Sequence, residues 1–94
     1  MENMHYIGLD IHKKMIAFCI KTYSGELIRR GTLPATRKAL NKWLEALPEP
    51  WTAAMEATLF SGWIYDFLKP HAHAIKVAHP EMLKAITAAK KKND

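Results

Sequence analysis

Tyr6-Ile7-Gly8-Leu9-Asp10-Ile11-His12-Lys13-Lys14 is the stretch from which the fold of this chain can be read. Side chains alternate faces along a strand, so Ile7, Leu9 and Ile11 share one side and Tyr6, Gly8 and Asp10 the other. An acid inside so apolar a strand is unusual. Gly8, its nearest neighbour on that side, has no side chain and leaves open space beside the carboxylate. The next run, Met15-Ile16-Ala17-Phe18-Cys19-Ile20, reads as a second strand, and the short His12-Lys13-Lys14 link makes the two a hairpin. Asp10 is therefore the first candidate functional group.

Beyond the hairpin, Ser24-Gly25 marks a turn. Glu26 to Leu33 reads as a third strand, and its Arg29-Arg30 pair suits a sheet edge. Pro34 ends it, and Thr36 is placed to cap a helix. Leu40, Trp43, Leu44 and Leu47 then fall at helical spacing, until Pro48-Glu49-Pro50 stops the run. Trp51 to Met55 reads as a short buried strand that ends in Glu56 and is followed by a cap-like Thr58. Phe60, Trp63, Ile64, Phe67 and Leu68 form a second helical stripe. Ala74 to Ala78 reads as a fifth strand, and His79-Pro80 opens a third helix with Met82, Leu83 and Ile86 on its apolar side.

Three strands, a helix, a strand, a helix, a strand and a helix describe an α/β fold: a mixed sheet with helices on both faces. Short connections and right-handed crossovers select the strand order 3-2-1-4-5. In that order Asp10 and Glu56 end parallel neighbouring strands. They share the sheet edge where open α/β sheets bind ligands. Two close carboxylates repel unless a cation or proton stands between them. Hard divalent ions take oxygen ligands, and Mg²⁺ is commonly held by one or two carboxylates together with phosphate oxygens and water. A pair of such ions can stabilise both oxygens of an in-line phosphodiester displacement. The residues thus point to a Mg²⁺ or Mn²⁺ site acting on nucleic-acid phosphate. The competing reading is structural: Asp10 caps a hairpin and Glu56 caps the following helix.

Composition narrows the class. Residues 1–94 make one domain, and at 49% hydrophobic and 24% charged the chain is globular rather than disordered. No apolar run approaches membrane-spanning length, and no positively charged segment precedes an apolar one at the N-terminus. Cys19 is the only cysteine, which excludes an internal disulfide and suits a cytoplasmic location; mid-strand, it reads as a buried, inert thiol. The net charge of +5 favours an anionic partner. Lys13-Lys14, Arg29-Arg30, Arg37-Lys38 and Lys90-Lys91-Lys92 are compatible with phosphate contacts, although each alone also reads as a solvated surface. His71 and His73 have chelating spacing but no third ligand near them in sequence.

Tyr6-Ile7-Gly8-Leu9-Asp10-Ile11-His12-Lys13, Met55-Glu56-Ala57-Thr58, Val77-Ala78-His79-Pro80 and Lys92-Asn93-Asp94 resemble, in order, the signatures of DEDD-type insertion-sequence transposases. The resemblance runs along essentially the whole chain, and its specificity lies in the ordered set. It implies an N-terminal RuvC-like, ribonuclease H-like domain. It also implies that Asp10, Glu56 and Asp94 are the first three acids of a tetrad that ligates divalent metal in DNA strand cleavage and exchange. DNA is the implied partner, approached by Lys13, Lys14, Lys90, Lys91 and Lys92. A guide RNA in the full-length protein and a homo-oligomer remain open. The family's fourth acid, three positions after the third, and its nucleophilic serine are not matched. The expectation is a C-terminally truncated domain that binds metal weakly and is inactive alone.

Two other readings compete. A noncatalytic module would bind nucleic acid, or pair with itself through an uncovered sheet edge. An actin-like or sugar-kinase-like phosphotransferase also begins with an Ile-Gly-x-Asp hairpin, but it follows the Asp with a small Gly-Thr or Gly-Ser turn, where this chain has His12-Lys13-Lys14.

Overall fold

The alternation read from Ile7, Leu9 and Ile11 builds the first strand of a five-stranded sheet. The computed structural model describes residues 3–78 of the chain. Strand β1 (His5–Ile11) turns through residues 12–14 into β2 (Met15–Thr22), and the two pair antiparallel with Ile11 opposite Ile16. Strand β3 (Leu27–Pro34) pairs antiparallel with β2. Between them Gly25 takes φ +93°, a left-handed conformation that glycine adopts without Cβ strain. β3 lies at the sheet edge and is exposed along most of its length, as its arginine pair suggested.

Helix α1 (Arg37–Glu45) begins as expected at Thr36, whose Oγ1 accepts from the Ala39 N–H at 3.1 Å. Strand β4 (Trp51–Glu56) then runs parallel to β1, and β5 (Ala74–Ala78) parallel to β4. Helix α2 (Gly62–Leu68) lies between these two strands in sequence. It starts later than its apolar stripe implied. Phe60 lies outside the helix and is exposed, in a turn tied by Thr58 and Ser61. The Thr58 N–H donates to Ser61 Oγ at 3.1 Å, and the Ser61 hydroxyl donates to the Thr58 carbonyl at 3.0 Å. Thr58 thus shapes the approach to the helix, and Ser61 occupies the cap position.

The strand order is β3-β2-β1-β4-β5. The β3-α1-β4 and β4-α2-β5 crossovers progress across the sheet in the same direction, so one handedness lays both described helices over one face, where the sequence pattern suggested helices on both faces. The core is on that face: Ile7, Leu9, Ile16, Ile20, Trp51 and Met55 pack with Leu40 and Trp43 of α1 and Ile64 and Leu68 of α2. The Arg37 guanidinium stacks 4.7 Å from the Trp63 ring centre and links the two helices. The expected third helix, from His79-Pro80 onward, lies outside the described residues, as do Lys90, Lys91, Lys92 and Asp94.

Candidate functional site

Interleaved with the buried residues are those of the opposite face. Gly8 pairs with Cys19 on β2 and with Ala54 on β4. Asp10 pairs with Ala17. Leu9 is in register with Met55, so Asp10 and Glu56 are the next residues along two parallel neighbours. Adjacent strands run about 4.8 Å apart, which brings the two acids to the same rim from backbone positions 46 residues apart in sequence (56 − 10). Both line one shallow hollow of about 480 Å³, floored by Gly8, Ala17, Cys19 and Ala54. A Cβ built on Gly8 meets nothing within 4 Å, so the space inferred beside the Asp10 carboxylate is present. The hollow continues over the same face into a second of about 490 Å³, where Tyr6, Lys21, Thr52 and Lys76 contribute.

Asp10 is exposed and Glu56 half-buried. Among the described residues, Asp10 has one side-chain partner: His12 Nε2 lies 3.2 Å from Asp10 Oδ2. The pleat permits the contact, because residues two apart in an extended segment project to the same side. His12 stands in the link that the sequence places after β1, two residues beyond Asp10. The alternation that put Asp10 on the Gly8 face puts His12 on the same side, and the side-chain rotamers complete the contact. Lys13 and Lys14 are exposed in the same turn, at the same end of the sheet as the acids. Arg37, read as part of a phosphate-compatible pair, is engaged by Trp63.

Cys19 differs from its expected burial. It is half-exposed and faces Gly8 on the open side, because a three-residue turn sets Phe18, not Cys19, opposite Leu9. His71 and His73 sit at the opposite end of the sheet from Asp10, before β5. Among the described residues, no group of three or more His, Cys, Asp and Glu side chains is gathered closely enough to hold a metal ion. The described donor set at the rim is two carboxylates with small, open surroundings. That chemistry suits a hard divalent cation that keeps much of its water. No helix among the described residues is long and apolar enough to cross a membrane.

A family model described as a transposase, of the IS110 DEDD type, matches residues 7–94. No curated protein matches the chain.

Proposed function

This chain belongs to the IS110-type DEDD transposases, whose role is in DNA transposition, and on that premise we propose that Asp10 and Glu56 are two of the acids that hold Mg²⁺ or Mn²⁺ for DNA strand cleavage and exchange. The observation that carries the proposal is their position at the ends of parallel neighbours β1 and β4, lining one open hollow. Asp94 is proposed as the third acid. When bound, the ion would supply charge to stabilise the oxygens of a phosphodiester displacement.

The chain's own residues bind and orient. The two carboxylates provide oxygen donors on one side of the hollow, and its open side leaves room for a phosphate and water. Lys13 and Lys14, on the turn beyond Asp10, would meet backbone phosphates of the approaching DNA. Lys90, Lys91 and Lys92 are proposed to add to that contact. Asp10, Glu56 and Asp94 would supply three of the four acids of the family's tetrad. The family match displaces the phosphotransferase alternative.

The test is Mn²⁺ binding to the 94-residue chain, followed as paramagnetic broadening of assigned amide resonances. Broadening centred on Asp10 and Glu56, and lost in Asp10→Asn and in Glu56→Gln, is the expected result. Broadening that ignores both substitutions would refute the site. Salt-sensitive DNA binding that survives Asp10→Asn and chelator would then leave a noncatalytic nucleic-acid module.

A further inference from the structure

We infer that His12 is a positioning residue for Asp10: its ring holds one carboxylate oxygen and leaves the other turned to the hollow. The inference rests on the metal-site reading above and deepens it. An ionised carboxylate only accepts hydrogen bonds, so in the 3.2 Å contact His12 Nε2 must donate to Asp10 Oδ2. The backbone that carries the imidazole belongs to a braced turn. The His12 backbone N–H donates to the Met15 carbonyl at 2.8 Å, and the Lys14 carbonyl accepts from the Ala35 N–H at 3.0 Å. These bonds anchor the β1–β2 turn to the start of β2 and to the residue after β3.

His12 acts through Asp10 rather than as a ligand itself. Asp10, His12 and Glu56 do not gather into a three-ligand group, and the ring nitrogen facing the site is committed to Oδ2. A lone exposed aspartate rotates among its rotamers, and each rotamer presents its oxygens differently. A ring N–H on one oxygen selects one of them before the ion arrives. Hydrogen-bond partners of ligating carboxylates set ligand orientation in this way, and removing one typically costs about 10–100-fold in metal affinity.

The experiment compares the 94-residue chain with Asp10→Asn, His12→Ala and His12→Gln. Glutamine can place an amide N–H near the position of Nε2; alanine cannot. Two quantities are read: the midpoint of Mn²⁺-induced broadening, and the ¹³C shift of the Asp10 side-chain carboxyl without metal. The expected result is a midpoint raised about 10–100-fold in His12→Ala, substantially restored in His12→Gln, with the Asp10 carboxyl shift displaced only in the alanine variant. Mn²⁺ binding that depends on Asp10 but is equal in all His12 variants overturns the positioning role and leaves the metal site standing. Binding indifferent to Asp10→Asn overturns both. A carboxyl shift that does not respond to His12→Ala overturns the contact itself, whatever the metal does.

Discussion

The two faces of this sheet are made by the same strands and differ in almost everything else. On the covered face, Ile7, Leu9, Ile16, Ile20, Trp51, Ala53 and Met55 are buried under two helices. On the other, Tyr6, Gly8, Asp10 and Ala54 are exposed, and Cys19, Thr52 and Glu56 are half-buried. The pleat separates stability from chemistry at single-residue resolution. Large apolar side chains hold the helices down, and the residues between them are small or polar, which leaves room for a ligand. A carboxylate pair would be costly on the covered side, where desolvation would disfavour both charges. On the open side, solvent screens their repulsion.

The strongest way to break this division is on the covered face. Trp51 is 1% exposed and sits in the core cluster at the start of β4. Trp51→Ala should cost about 3–5 kcal/mol, a large part of the stability of a small domain. Chemical denaturation followed by far-UV circular dichroism measures it. A loss below about 1 kcal/mol would mean that the core is not organised around this residue.

Ala53 and Ala54 allow the faces to be compared with the same substitution at adjacent positions. Ala53 is fully buried against the helices and Ala54 is exposed on the floor of the hollow. Ala53→Leu should destabilise by about 1–3 kcal/mol through overpacking. Ala54→Leu should change stability by no more than about 0.5 kcal/mol, yet it should weaken Mn²⁺ binding by filling the space below the acids. Equal stability losses at the two positions would erase the distinction between the faces.

The strand order was legible because few topologies satisfy a meander followed by right-handed crossovers. The adjacency of Asp10 and Glu56 came with it, since each acid closes a strand whose partner that order dictates. Cys19 was misread because a continuous apolar run looks buried on both sides. Counting register back from the turn, with Ile11 opposite Ile16, puts Cys19 opposite Gly8. Phe60 was misread because helical spacing extends through a turn as easily as through a helix, and only the Thr58–Ser61 hydrogen bonds distinguish them. The contact of His12 with Asp10 depends on a rotamer, which spacing permits without requiring.

The smallest effect tests the openness of the face most directly. Glycine within a strand is disfavoured relative to alanine by about 0.5–1 kcal/mol, because it surrenders more conformational freedom on folding. At Gly8 nothing stands within 4 Å of an added Cβ, so no steric term opposes that gain. By contrast, a Cβ at Gly31 would come within 3.2 Å of the Phe18 ring on the covered side, where the neighbour would have to yield. Gly8→Ala should therefore raise stability by up to about 1 kcal/mol, measured as a shift in the denaturation midpoint at constant slope. The new methyl group would stand on the floor of the hollow, so Mn²⁺ affinity should not rise with stability. A stability loss at Gly8 would mean that this face is already occupied in solution, and the space assigned to the ion and its phosphate would be gone.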